Sequence, residues 1–336
     1  MNIRIIYHIN EIDTQQWESL LLKSKTRSFF QTRECYDLYA ANPAFMQPFC
    51  FAVEDDGLLK GVNIGYIQRD GGRIKRYFSR RAIINGGPLL AGDITEEALA
   101  LLLNETKKQL RGKAIYVESR NFEDYSSYKE VFARCGFEYV PHLNFHIDTN
   151  SEAVVNQNLH KSCKRDIRTS FRDGAEIVEN PSIADIHIYY TILSDLYSRK
   201  VKTPLFPLSF FEHLYHQNYA KFLLVKFNGR IVGGTVCVCL SGHAVYEWFA
   251  CSEVNARKIS SPSTIATYAG ACYAVRNGYC HYDMMGAGKP SKSYGVRDFK
   301  AQFGGQLVEH GRFRHIFNPA LYNIGIIGVK IMKRVY

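Results

Sequence analysis

The 336 residues, 46% of them hydrophobic and 13% aromatic, exceed what one core usually serves and lie far from disordered compositions, so two domains or one large one are expected. An excess of ten positive charges, 42 Lys+Arg against 32 Asp+Glu, favours anionic partners such as nucleic acid, nucleotide diphosphates or an anionic membrane surface. No run approaches the ~18 apolar residues of a membrane span, and MNIRIIYHINEIDTQQW lacks the apolar core of a secretory signal, so a cytoplasmic protein is expected.

In the first half, Pro48–Val53 reads as a strand that pairs with Leu58–Gln68 across the Asp-Asp-Gly turn at 55–57. Ile83–Leu90 carries an Asn-Gly-Gly-Pro turn at 85–88. Thr95-Glu96-Glu97 opens an amphipathic helix, with Leu99, Leu102, Leu103, Thr106 and Leu110 near helical spacing. Ala114–Glu118 follows as a strand. A short helix over Tyr128–Cys135 is stopped by Gly136, and Tyr139–Ile147 closes the unit as a strand.

The second half repeats the theme behind a longer helical preface. Ser151–Asp173 and Ala184–Lys200 read as helices. Lys221–Phe227, Ile231–Leu240 and Ala244–Cys251 read as an antiparallel meander, with Asn228-Gly229 as a hairpin turn. A helix over Ser263–Arg276 stops at Gly278, and a strand over Tyr279–Met284 follows. Both halves run antiparallel strands, helix, strand, which predicts an α+β protein of two related modules, 1–149 and 150–336.

The nine cysteines form no CxxC pair and lie mostly in apolar runs such as VCVCL, so they read as reduced packing residues. No Cys/His cluster has ligand spacing, and neither a metal nor a cofactor is expected.

Chemistry concentrates between Tyr282 and Phe313, where Gly286, Gly288, Gly295, Gly304, Gly305 and Gly311 alternate with Lys289, Lys292, Arg297, Lys300 and Arg312. Glycines admit close approach by a ligand, and fixed cations suit phosphate or developing negative charge. Asp283 can act on an attacking ammonium or cap the glycine-rich turn. Tyr294 and Phe299 can line a pocket or pack; Arg297 and Arg312 can clamp phosphate, and Arg297 can instead pair with a surface acid.

The helix LHKSCKRDIRTSFRDG places Leu159, Cys163, Ile167 and Phe171 on a buried stripe. Lys161, Lys164, Arg165, Arg168 and Arg172 cover the rest, as a solvated face or as a docking surface for phosphates. A second basic patch, Arg69, Arg73, Lys75, Arg76, Arg80 and Arg81, reads as a hairpin and its flank. The C-terminal ALYNIGIIGVKIMKRVY admits a surface helix closing the second module or an interfacial helix on an anionic membrane.

The meander–helix–strand order of the second half resembles the acyl-CoA N-acyltransferases of the GNAT superfamily. Their pyrophosphate loop corresponds here to SEVNARKISSPS, 252–263, which has no glycine; Arg257 and Lys258 could still meet phosphate. Tyr282-Asp283, Gly286, Tyr294-Gly295, Phe299-Lys300, Phe303-Gly304-Gly305 and Gly311-Arg312 resemble the C-terminal signature of the FemABX family. FFQTREC at 29–35 resembles the family's N-terminal entry, Asn85–Pro88 its Gly-Gly-Pro turn, and KRDIRTSFRDG its second-module basic helix.

The resemblance implies two tandem GNAT-like modules and aminoacyl transfer from tRNA to a peptidoglycan precursor, nucleotide- or lipid-linked, with no DNA partner. It implies Lys300 as the catalytic cation and Asp283 as its companion, with Tyr294, Arg297, Phe299, Gly304, Gly305 and Arg312 at the substrate. An acyl-CoA-dependent N-acyltransferase and a non-catalytic RNA- or precursor-binding protein stand as alternatives. Two departures from the family accompany the match. No extended heptad run marks a coiled-coil arm, and the position about eight residues after Gln31 is Leu38-Tyr39-Ala40, without a cation.

Overall fold

A computed structural model describes residues 2–69, 72–253 and 261–334, and the side chains of these except 73–75 and 329–334. The chain divides into two compact units, Met1–Pro141 with His310–Tyr336, and His142–Glu309. Each is built on a mixed sheet with helices, as the α+β expectation requires.

The first unit runs β1 Ile3–Ile6, α1 Thr14–Lys23, α2 Arg33–Ala40, β2 Met46–Asp55, β3 Leu58–Gln68, α3 Arg73–Ser79, β4 Ala82–Gly86, β5 Leu89–Leu90, α4 Glu96–Leu110, β6 Tyr116–Asn121, α5 Lys129–Arg134 and β7 Glu138–Val140. The second runs β8 Leu143–Asp148, α6 Glu152–Asn158, α7 Lys161–Arg172, β9 Glu176–Val178, α8 Ile183–Leu196, α9 Leu208–Tyr215, β10 Ala220–Phe227, β11 Arg230–Leu240, β12 Ala244–Ser252, α10 Pro262–Arg276, β13 His281–Gly286, α11 Gly295–Ala301 and β14 Gln306–Glu309. The chain then adds β15 Arg312–Ile316 and α12 Pro319–Arg334 to the first unit.

Local chemistry sets these elements. The β2–β3 hairpin closes on Asp56 and Gly57, both at positive φ, as a two-residue turn with right-handed strand twist demands. Thr95 caps α4 by accepting from the Ala98 N–H, and Glu96 and Glu97 in its first turn complement Lys107 and Lys108 in its last. Buried Gln31 joins two of the family-like motifs. Its Nε2 donates to the carbonyls of Gly86 at 3.1 Å and Gly87 at 2.8 Å, while its Oε1 accepts from the Ser28 N–H.

The two sheets share one order. In the first, antiparallel β2 and β3 lead to β4, α4 packs on one face, and β6 returns parallel to β4. In the second, β10, β11 and β12 form the meander, α10 packs on one face, and β13 returns parallel to β12. The next strand in each sheet comes from outside its sequence half: β15 pairs β6, and β8 pairs β13.

The compact units differ from the expected division at 1–149 and 150–336, since residues 142–149 lie in the second and 310–336 in the first. Pro141, which cannot donate to a ladder, splits the single strand expected over Tyr139–Ile147. Its first part stays in the first sheet and β8 joins the second.

Other differences are local. Ser151–Asp173 is two helices parted at Leu159 and His160, where extended backbone ends one and caps the next. Phe171 is exposed, because Ser170 takes the inward position and its Oγ donates to the Asp166 carbonyl. The patch read as a hairpin and its flank contains α3. Eight of the nine cysteines are buried, and none forms a disulfide.

Candidate functional site

The parallel ladder between β12 and β13 covers only Ala244–Tyr246 and His281–Asp283, although the strands run on to Ser252 and Gly286. Their C-terminal ends therefore part. On β12 the pairing to β11 also skips a residue between Phe249 and Glu247, a bulge that re-aims the side chains just where the strands separate.

Glu247 follows Tyr246, the last residue of β12 paired to β13, and is 7% exposed in a largely apolar strand. Its Oε1 accepts from Thr267 Oγ1 of α10 at 2.7 Å. Burial raises its pKa above the ordinary carboxylate value, and the Lys300 ammonium and the hydroxyls of Thr267, Tyr282 and Thr235 offset this only in part. Tyr282 is fully buried beside it, and α10 reaches it through Gly270, where a Cβ would stand 2.6 Å from the ring.

Lys300 comes from α11 and is 8% exposed. Its Nζ donates to the carbonyls of Met284, Met285 at 3.4 Å and Gly286 at 3.0 Å, which ties down the free end of β13. Burial lowers its pKa, against the pull of Glu247 and Asp283. Asp283 is fully buried; its Oδ1 accepts from the Met285 N–H at 2.5 Å and its Oδ2 lies 3.5 Å from His146 Nε2 on β8. Burial works to raise this carboxyl, but His146, His281 and the Met285 N–H hold it below its usual value. Met285 carries φ +58, so the Asp283 bond supports a left-handed turn residue at the strand end.

The two carboxyls thus differ in kind. Glu247 is poised to take up a proton, whereas Asp283 is held ionised by its neighbours and spends one oxygen on the turn. Only the periodicity-breaking acid in AVYEWFACS hints at Glu247 in the sequence, and nothing there pairs it with Lys300, 53 residues later.

The remaining expected site residues fall into three places. Arg297 donates to the carbonyls of Ala287 at 3.1 Å, Lys289 at 2.8 Å and Lys292, so it clasps the glycine-rich backbone. Tyr294 packs on Gly288, and Phe299 meets Phe303 edge to face at 5.3 Å against the core. A Cβ on Gly304, at φ +70, would stand 2.6 Å from the Asn158 carbonyl carbon, and one on Gly305 would stand 2.7 Å from the His146 oxygen.

These two glycines permit close backbone packing. Gly304→Ala is expected to destabilise the protein by about 1–3 kcal/mol through overpacking, before any added backbone strain. Denaturant melts read this directly; an unchanged midpoint with a raised KM would assign Gly304 to the substrate instead.

On α7, Lys161, Arg165 and Arg168 are exposed, Lys164 donates to the Gln157 carbonyl at 3.2 Å, and Arg165 pairs with Asp166. Arg257 and Lys258 lie outside the described residues.

Arg312 belongs to the first unit and to another cluster. Its Nη1 donates to Glu118 Oε1 at 2.9 Å, which also accepts from Arg120 Nε at 3.1 Å, while Arg314 donates twice to Oε2, at 3.0 and 2.6 Å. Burial of the carboxylate is outweighed by the three guanidiniums, which hold the Glu118 pKa far below the ordinary value. Burial and the like charge of Arg120 bring Arg312 down to about 10. The arginine expected beside Lys300 therefore neutralises a buried glutamate in the first sheet.

Comparison with known proteins follows this division. Residues 157–300 match the family model of the acetyltransferase (GNAT) domain. No match is found among curated protein sequences. The crystal structure of FemX covers 96% of this chain and 99% of its own, at a TM-score of 0.71 and 15% identity. A tandem GNAT protein from the clavulanic acid biosynthesis pathway covers 95% and 99%, at 0.59 and 11%. L-PGS from Bacillus licheniformis covers 95% and 96%, at 0.57 and 13%. The chain therefore has the FemABX-like tandem GNAT fold, and its match to the acetyltransferase (GNAT) domain model lies within the second unit.

Proposed function

We propose that the protein transfers an aminoacyl group from aminoacyl-tRNA to an amine of a cell-wall precursor peptide, nucleotide- or lipid-linked, with Glu247 as the base. The observation that carries this reading is the buried carboxyl of raised pKa set where β12 and β13 part, in a GNAT-type domain. An acceptor amine arrives as an ammonium and must lose a proton before it can attack. Glu247 takes that proton; the amine nitrogen bonds to the ester carbonyl carbon, the carbonyl oxygen carries the developing negative charge, and the bond to the ribose oxygen breaks as that oxygen receives the second proton that the attacking nitrogen gives up on becoming an amide. Lys300 holds the carbonyls of 284–286 and keeps positive charge near Glu247, which limits how far that carboxyl rises. No nucleophile from the protein is required, because the ester is already activated and the amine attacks it directly.

Two features support tRNA as the donor. The segment 252–263 has no glycine to let a pyrophosphate reach the backbone, and α7 presents an exposed basic face suited to phosphates. The match to an acetyltransferase domain favours a second reading, an acyl-CoA-dependent N-acyltransferase of a sugar amine or amino acid.

One assay separates them. The protein is incubated with a mixed charged-tRNA pool and candidate precursors, or with acyl-CoA and the same amines, and product masses are followed. Aminoacylated precursor from charged tRNA alone is expected. Product from acyl-CoA alone reverses the assignment, and binding of RNA without product assigns a non-catalytic role.

A further inference from the structure

Two helices of the first unit, α3 and α12, carry exposed apolar surface out of proportion to their length. Fourteen large hydrophobic side chains stand exposed among the described residues; five of them, Tyr77, Phe78, Ile324, Ile326 and Ile327, lie here, each 37–55% exposed. The helices adjoin: a Cβ on Gly325 would stand 3.9 Å from the Phe78 carbonyl oxygen. The exposed apolar residues therefore belong to one adjoining pair of helices, with Ile324 and Ile327, three apart, on one face of α12. That helix is held in place as well, because its Tyr322 accepts from Arg314 Nη1 at 2.6 Å and packs edge-on against Tyr116 at 5.3 Å.

Both segments are cationic in sequence. Residues 72–81 carry Arg73, Lys75, Arg76, Arg80 and Arg81, residues 319–334 carry Lys330, Lys333 and Arg334, and neither segment holds an Asp or Glu. Arg76 is exposed, and the Arg80 guanidinium lies 4.5 Å over the Tyr77 ring.

These features together select an occupant. A second copy would set the same two cationic, acid-free segments against these, which opposes association. A nucleic acid would meet the cations but leave the isoleucines in water. A bilayer with anionic headgroups satisfies both, since apolar side chains enter the headgroup–acyl boundary while lysines and arginines meet lipid phosphates. Among the described residues no helix is long and apolar enough to cross a membrane, so the contact would be peripheral.

We infer that α3 and α12 form a docking surface for an anionic lipid bilayer. This stands independently of the transfer reading, since it concerns other residues and predicts binding without substrate.

Sedimentation of the full chain with vesicles tests it. The protein is expected to pellet with phosphatidylcholine–phosphatidylglycerol vesicles, to stay in solution with pure phosphatidylcholine, and to dissociate as salt is raised. Ile324→Asp combined with Ile327→Asp should lower the partition coefficient at least about tenfold. Arg76→Glu should lower it through charge, and both variants should melt as the wild type does, because the substituted side chains are exposed. Equal partition onto both vesicle types, partition onto neither, or wild-type partition by both variants overturns the inference. Dimerisation without vesicles that the isoleucine substitutions abolish also overturns it, in favour of a second copy.

Discussion

Glu247→Gln is expected to lower kcat about 10²–10⁴-fold, the usual worth of a positioned general base. The same change should leave the protein as stable as the wild type or more so near neutral pH. Burial raises the folded-state pKa of this carboxyl, so the folded protein binds its proton more tightly than the unfolded chain does. The resulting stability is present at low pH and is lost as pH rises from the unfolded value through the folded one. Glutamine keeps an acceptor for Thr267 and removes the charge, and with it that cost.

The pH profile adds a second readout. In the wild type, kcat/KM should fall on the acid side with a midpoint above the ordinary carboxylate value, and the variant should lose this limb. Loss of activity accompanied by loss of stability would mark Glu247 as a structural residue only.

Glu118→Gln is expected to destabilise the first unit by about 3–5 kcal/mol at neutral pH, the range for breaking a buried ion pair from one side. The carboxylate is 4% exposed and receives Arg120, Arg312 and Arg314, of which Arg120 and Arg312 stand directly opposite each other across β6 and β15. Without the negative charge, like charges face each other with nothing between them.

Because the folded-state pKa of Glu118 is depressed, its contribution is fully present above the unfolded value of about 4.3 and is lost as pH falls from there through the folded value. Denaturant melts of the two proteins should therefore differ most near pH 7 and converge in strong acid. A constant difference across pH would show that packing, not charge, sets the effect.

The contrast between these two glutamates shows what pattern reading can and cannot reach. Both lie in segments read from sequence simply as strands, and neither stood out there as a site residue. Arg312 did stand out, through its place in a glycine-rich, cation-rich run. Yet that run is not one loop: it spans the end of β13, α11, β14 and the start of β15, and its last part belongs to the other sheet. Lys300 and Asp283, proposed from the same run, do share a neighbourhood with Glu247, where the structure gives Lys300 and Asp283 backbone contacts that hold the β13 terminus.

What the sequence determined by itself was local and periodic. The Asp-Asp-Gly and Asn-Gly turns, the capped helix at Thr95, the meander of 220–252 and the repeated strand–helix–strand order all follow from short-range rules that need no partner to operate. Tertiary structure alone decided which strand completes which sheet. β8 and β15 each pair away from their sequence neighbours, since strand pairing is settled by long-range hydrogen bonding and burial that a local pattern does not encode. It also decided the raised pKa of Glu247, because a carboxyl's hold on its proton depends on the burial and cations that folding brings around it.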